Sequence, residues 1–358
     1  MSHMTQTHIS LDFSGSDIAS QRAQAVTAFI HTARRLLPEP AKAQAEQLRA
    51  VAQALEQLGL RQDLFPQAQF PVSTENPAQV YRLAEDLDGD FALYVSAGLP
   101  GKAQPPHDHT TWAIIAGIQG NERNMLYRRH KTEDPLQDRL ELRHTVDVVP
   151  GTSVTLLPDD VHTIELQGSE PGLHLHFYGL ALELLHDRVV FASKEGGTFR
   201  RFAPPASIRH ALTSPQELKA ALGDDEEIAV LDVRETGVFS HRHILFAASA
   251  PLWRVELLID RLVPRKDTRI VLVDANESLV HQAAAKLVRL GWRNVSVLAG
   301  GTDAWAAAGF EIFSGTNVPS KAFGEVIEHQ KHTPWIDSDA LHQRIANGEN
   351  IVVVDSRT

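Results

Sequence analysis

The sequence predicts three successive structural textures: a helical N-terminal segment, an all-β barrel or sandwich, and an α/β unit with a parallel sheet. Three observations carry this expectation. Apolar residues recur at three- and four-residue spacing before residue 61. Short strand-like runs separated by turn residues fill the stretch from Phe91 to Gly179. Beyond Phe202, strand-like and helix-like stretches alternate. The chain has 358 residues, too many for one small core, so two domains and a remainder are expected.

The helical segment spans Ile18 to Leu60. Ala25, Val26, Phe29, Ile30, Ala33, Leu36 and Leu37 share one helical face, and Pro38 and Pro40 break the run. A second helix, Ala41 to Leu60, is rich in Ala, Gln, Leu and Glu, with Gly59 marking its end. The β region follows as FALYVSAG, TTWAIIAG, ERNMLYRRH, HTVDVVPG, SVTLLPDD, VHTIELQG and GLHLHFYG. Ala203 to Ser207 (APPAS) reads as a linker. After it come IAVLDV, a helix near Trp253 to Leu262, RIVLVD, a helix from Leu279 to Leu290, and VSVLAGG. That order implies a parallel sheet with covering helices.

An internal repeat is also present. Ser214 to Glu235 resembles Asp337 to Thr358, aligning Asp232 with Asp355. The second copy stops after its first strand, so a truncated product of a longer parent is expected. Met1 to Met4 read as a cloning scar ahead of a native start at Met4.

Composition excludes several functions. The net charge of −11 argues against nucleic acid or an anionic membrane as partner. No apolar run is long enough to span a bilayer, and no signal-peptide pattern opens the chain, so the expected location is the cytoplasm. Cysteine is absent, which removes disulfides, thiolate nucleophiles and cysteine zinc sites. Any metal must rest on His, Asp or Glu, and the chain has 18 histidines.

The informative segment is Gly101-Lys-Ala-Gln-Pro-Pro-His107-Asp-His109. Histidines at i and i+2 of a strand point to one face and can meet one cation. His162, in LLPDDVHTIEL, is the best third ligand. Three neutral nitrogens leave open positions for substrate and dioxygen on a six-coordinate metal. An isolated H-x-H pair is more often what chance places on a surface than a metal site. The surrounding glycines, Gly101 and Gly120, and the Pro158 turn before His162 resemble the two cupin motifs. The usual cupin Glu is replaced by Ala113.

PHDHTTW, Gly120, LLPDDVH and HLHFYG together resemble the cysteine dioxygenase family, in particular its bacterial branch, which includes 3-mercaptopropionate dioxygenases. The likeness covers roughly Tyr81 to Phe191. It implies a cupin barrel with non-haem Fe(II) on His107, His109 and His162, and O2 as co-substrate adding both oxygen atoms to the sulfur of a small thiol carboxylate. It also implies an outer Ser-His-Tyr relay, which reads here as His174, His176 and Tyr178, with His174 in place of the serine. Without the likeness, Tyr178 would equally be a core tyrosine. The family's carboxylate-binding Arg has two candidates: Arg188, before Val189-Val190-Phe191, is favoured, and Arg82, beside Tyr81, comes second. Arg188 favours a thiol carboxylate that needs no amine, and each Arg could instead be a solvated surface residue.

The later half resembles a rhodanese. LDVRE (Leu231 to Glu235), His243-Ile244, Ala247-Ala248 and Pro251-Leu252 match the opening of such a domain. Asn294-Val295, LAGG (Leu298 to Gly301), Trp305 and Gly309 match its ending. Where an active rhodanese carries its catalytic Cys, this chain has Asp274, in DANESLVH, so no sulfur transfer is expected from the domain. Asp232 and Arg234 are expected to brace the strand end. Scaffolding or docking a protein partner is the role that remains for the domain, and a fold retained without chemistry is the more expected reading.

The expected divisions are 5–80 for the helical segment, 81–202 for the cupin barrel, 203–211 for a linker, 212–315 for the rhodanese-like domain, 316–332 for a second linker and 333–358 for the partial repeat. Two alternatives stay open. One is a dioxygenase of another organosulfur compound such as a persulfide. The other is a catalytically silent metal-binding scaffold. Nickel and manganese also fill three-histidine cupins.

Overall fold

The computed structural model describes residues 18–86, 89–134, 137–315, 318–332 and 334–354. Met1 to Met4 and Asp355 to Thr358 therefore lie outside the described residues.

Two helices open the chain, α1 (Ile18–Leu36) and α2 (Ala45–Gly59). The first ends just before Pro38, as the proline pattern predicts. The second begins in a reciprocal cap between Gln44 and Gln47. Gly59, its last residue, lets the helix touch the sheet: a Cβ there would lie 2.5 Å from the Gly117 carbonyl oxygen.

The strands β1 (Ala78–Glu85), β2 (Ala92–Gly98), β3 (Ala103–His107), β4 (Ala113–Gln119), β5 (Asn121–His130), β6 (Arg139–Val148), β7 (Ser153–Leu156), β8 (Val161–Gln167), β9 (Gly172–Tyr178), β10 (Val189–Phe191), β11 (Phe199–Arg201) and β12 (Arg209–His210) form two sheets. One has the order β12-β1-β2-β9-β4-β7, and the other β11-β10-β3-β8-β5-β6. The second is antiparallel throughout, whereas the first is mixed because β12 joins β1 in parallel.

The helices cover the outer face of the first sheet. Phe29, Val51 and Leu55 pack with Ile114, Leu175 and Phe177. The rings of Phe29 and Phe177 meet edge-on at 5.0 Å. The other face of that sheet meets the second sheet, through a layer that includes Tyr94, Ile115, Leu126, Leu156 and Tyr178. Strand β9 is thus buried on both faces. Its odd positions pack under the helices, while His174, His176 and Tyr178 point between the sheets, following the two-residue period.

The α/β unit has a five-stranded parallel sheet, β13 (Leu212–Thr213), β14 (Ile228–Asp232), β15 (Ala247–Ser249), β16 (Arg269–Val273) and β17 (Val295–Leu298), in the order β13-β17-β16-β14-β15. Helices α5 (Val255–Leu262) and α6 (Val280–Arg289) cover one face; α3 (Pro215–Ala221), α4 (Thr236–His241) and α7 (Gly301–Ala307) cover the other. The expected Asp–Arg brace is present: Arg234 donates from Nε to Asp232 Oδ1 at 2.9 Å and from Nη2 to Oδ2 at 2.6 Å.

Three sequence expectations are corrected. Part of the expected 203–211 linker is β12, where Tyr81 and Arg82 pair with Arg209 and His210. The first sheet therefore ends one residue before the parallel sheet begins. The expected 316–332 linker is mostly helix α8 (Val318–Lys331). In the partial repeat, helix α9 (Ser338–Ala346) forms under an Asp337 cap, but Ile351 to Val354 form no strand, and Val352 is 86% exposed. A strand needs a neighbour to take its backbone hydrogen bonds, and among the described residues this segment pairs with none.

The two sheet units touch through polar contacts. Gln69 donates to Glu217 at 3.1 Å, Asn294 donates to Ser20 at 3.0 Å, and Arg209 pairs with Glu277. Among the described residues no helix is long and apolar enough to cross a membrane.

Candidate metal centre

His107 ends β3 and lies directly opposite His162 on β8. His109 sits just past the strand, before Thr110, whose φ of +56° turns the chain towards β4. The two histidines of the H-x-H motif therefore converge although only the first is in a strand. All three rings are buried, and one nitrogen of each lies within 4.8 Å of the other two. Centroid separations are 4.6 Å for His107–His162 and 5.0 Å for both His107–His109 and His109–His162. The Nε2 atoms of His109 and His162 are 2.9 Å apart.

The donor set fits a cation. Nδ1–H of His107 donates to the Pro105 carbonyl at 2.8 Å, and Nδ1–H of His162 donates to Asn124 Oδ1 at 2.8 Å. Both rings thereby offer a bare Nε2 to the centre of the cluster. Burial pushes the His107 imidazole down to about 4, and burial together with the neighbouring imidazoles pushes His109 and His162 well below the ordinary histidine range. Neutral rings are the form that binds metal.

These shifts carry a pH prediction for the metal-free protein. The His107 value falls from 6.5 unfolded to about 4 folded. Its contribution to stability is complete above pH 6.5 and is lost as pH falls towards 4, because the unfolded chain takes up the proton first. A shift of that size is worth about 3 kcal/mol. Urea midpoints of chelator-treated protein should fall from pH 7 to pH 4.5, and a flat profile would contradict the buried neutral cluster.

A cavity of about 430 Å³ opens beside the cluster. His107, His176, Tyr178, Arg188, Lys102 and Phe202 are among its lining residues, and no described Asp or Glu lines it. His176 Nδ1 lies 3.1 Å from the Tyr178 hydroxyl, and the Tyr178 ring lies 5.2 Å from that of His109. Burial raises the Tyr178 hydroxyl above its ordinary value, so it remains protonated. The expected relay residues therefore share one wall. His174, however, lies between the sheets without lining the cavity: its Nε2 donates to the Val148 carbonyl at 3.1 Å, so that nitrogen carries the proton.

The two candidate arginines separate. Arg188 is 4% exposed, with Cζ 4.6 Å from the Phe202 ring, Nη2 donating to Ala203 at 3.3 Å, and Nε without a partner. Arg82 is 2% exposed but lies outside the cavity lining, ion-paired with Glu85 at 3.2 Å and with Glu183. Two carboxylates already occupy it, so the structure does not bring Arg82 to the site.

Glu122 and Asn124 are additions that sequence reasoning missed. Both are buried on β5 and point inward with Leu126. Burial alone would raise the Glu122 carboxyl, but His174, His176 and Asn124 outweigh it and hold it at about 2. A polar pair at inward-facing positions of an alternating strand was the available signal.

The loop after β16 forms the second distinctive feature. Asp274 is fully buried, and its carboxylate accepts hydrogen bonds from the backbone N–H groups of Glu277 at 2.6 Å, Leu279 at 2.6 Å and Val280 at 3.3 Å. Glu277, at φ +69°, accepts from the Gly300 N–H at 2.7 Å. Amides that could cradle an external anion are therefore occupied from within. Residues 214–308 match the family described as the rhodanese-like domain.

The C-terminal half carries a rhodanese-like domain. Similar solved structures include thiosulfate sulfurtransferase from Pseudomonas aeruginosa, 42% identical over 41% of this chain and 28% of that one, with a TM-score of 0.40. The BH2092 protein from Bacillus halodurans is 27% identical over 28% of this chain and 75% of that one, at a TM-score of 0.27. An oxalate oxidase in complex with the substrate analogue glycolate is 16% identical over 33% of this chain and 59% of that one, at 0.25. The chain thus spans little more than a quarter of the length of that sulfurtransferase. No curated protein matches the chain. The rhodanese-like domain ends at its own sheet, and the histidine cluster lies wholly in the N-terminal unit.

Proposed function

We propose that the N-terminal unit is a cupin-type, iron-dependent thiol dioxygenase acting on a small thiol carboxylate. One observation carries the reading: three buried, neutral histidines converge beside a cavity whose wall also holds Arg188 and the His176–Tyr178 pair. His107, His109 and His162 would hold the metal. Fe(II) bound there would supply coordination of thiolate and O2 together, the basis of sulfinate formation.

The protein's own residues have separable tasks. Arg188 offers a guanidinium to the substrate carboxylate, and its unpartnered Nε supports that role. Tyr178 keeps its proton and places its hydroxyl oxygen at the cavity, held by His176. The cavity lining excludes carboxylates, which favours an anionic substrate. With no cysteine in the sequence, no protein thiol competes for oxidation.

The rhodanese-like domain makes a persulfide a second reading of the substrate, since such domains belong to sulfur metabolism. We read the domain as unable to transfer sulfur by itself, because a carboxylate cannot carry a persulfide and the Asp274 carboxylate fills the amide cradle. Docking a protein partner is the role we assign to it.

Oxygen consumption by the anaerobically Fe(II)-loaded chain tests this reading. Cysteine, 3-mercaptopropionate, mercaptosuccinate and glutathione persulfide would be supplied in turn, with product mass read in parallel. The expected result is uptake with a thiol carboxylate and a product heavier by two oxygen atoms. Absence of substrate-dependent uptake with all four would leave the metal-binding scaffold as the better account.

A further inference from the structure

The Ser-His-Tyr pattern lacks its serine, and His174 does not replace it. Burial keeps the His174 ring neutral, and its Nε2–H is spent on the Val148 carbonyl. Its Nδ1 is 4.0 Å from Glu122, beyond hydrogen-bond reach. His176 has the closer claim on that carboxylate, with Nε2 at 3.5 Å from Glu122 Oε2.

We propose that Glu122 is a positioning residue that fixes which ring nitrogen of both His176 and His162 carries the proton. An ionised carboxylate only accepts hydrogen bonds, and this gives the network one direction. On one branch, Glu122 Oε1 accepts from Asn124 Nδ2 at 3.0 Å. The amide orientation of Asn124 is then settled, and its Oδ1 accepts from His162 Nδ1 at 2.8 Å. His162 must therefore carry its proton on Nδ1 and turn a bare Nε2 to the metal centre. On the other branch, His176 Nε2 has no hydrogen-bond partner among the described residues, and the negative charge of Glu122 Oε2, 3.5 Å away and short of a direct hydrogen bond, favours the proton on that nitrogen. Nδ1 of His176 is left bare and accepts a hydrogen bond from the Tyr178 hydroxyl at 3.1 Å. The Tyr178 oxygen then meets the cavity with its lone pairs. One carboxylate from β5 thus orders a metal ligand and the tyrosine together, and does from a neighbouring strand what a serine on β9 would do.

The role of His162 rests on the metal-centre reading, whereas the state of His176 does not. Two-bond ¹H–¹⁵N correlation spectra of the ¹⁵N-labelled full-length chain report each histidine tautomer. The metal-free and the diamagnetic Zn(II)-loaded protein would both be measured, with His176→Gln used for assignment. Wild type should show His176 protonated at Nε2 and, in the zinc form, His162 protonated at Nδ1. In Glu122→Gln the new amide can donate to His176, so its proton should move to Nδ1. In the Fe(II) form of E122Q, kcat should fall about 10- to 100-fold, the range for lost outer-shell partners, with KM little changed. A wild-type His176 protonated at Nδ1 overturns the proposal. So does an unchanged His176 tautomer in E122Q. If E122Q fails to fold, the wild-type tautomer decides alone. The spectra report on Glu122 even if no thiol is oxidised, so failure of the dioxygenase reading is read separately from failure of this one.

Discussion

His162→Ala should empty the metal centre. The His162 ring is fully buried, faces His107 across paired strands, and brings its Nε2 to 2.9 Å from that of His109. Alanine removes one of three donors and leaves Asn124 without its partner. Loss of an outer-shell contact alone costs roughly 10- to 100-fold in metal affinity, so loss of a ligand should exceed that. Elemental analysis after Fe(II) loading and desalting should fall from near one equivalent to background, and thiol-dependent oxygen uptake should vanish with it. His210→Ala is the matched control. His210 is equally buried and lies outside the three-histidine cluster, so its variant should keep its metal. Equimolar metal in H162A would remove the three-histidine centre.

Arg188→Ala should raise KM for a thiol carboxylate about 100-fold, with a smaller effect on kcat. Truncating one partner of a buried, hydrogen-bonded charge pair costs about 2–5 kcal/mol, and the lower end corresponds to a factor near 30–100. Arg188 is suited to the task because Phe202 supports its guanidinium at 4.6 Å and, among the described residues, its Nε has no hydrogen-bond partner. Arg188→Lys should recover part of the loss, as a point charge without the two-pronged geometry. Lys102 also lines the cavity and would sustain residual binding. An unchanged KM in R188A would rule out this residue as the clamp. Arg82 gives the contrasting prediction in the same assay: its alanine variant should lose stability, since Glu183 would lose its cation and the buried Glu85 would keep only Arg289.

Much of the architecture was legible because local periodicity is a local property. The prolines at 38 and 40 ended α1, the alternation in GLHLHFYG set two faces on β9, and the alternating strands and helices after residue 212 produced the parallel sheet. Local patterns failed where pairing was needed. Arg209 and His210 read as linker because two residues carry no period, yet β1 recruits them as a strand. Ile351 to Val354 read as a strand, yet nothing adjacent completes its hydrogen bonds.

The candidate site divides along the same line. Sequence alone named the three histidines, the His176–Tyr178 pair, and Asp274 at the position where a rhodanese needs cysteine. Spacing within one strand decides which side chains share a face, and the absence of a residue type needs no coordinates. The sequence already ranked Arg188 ahead of Arg82, and the tertiary structure adds the carboxylates, Glu85 and Glu183, that fold against Arg82. Only it revealed Glu122 and Asn124, whose partners sit on strands far away in the sequence. It also showed Asp274 filling its own loop, a result of backbone curvature that residue names do not encode.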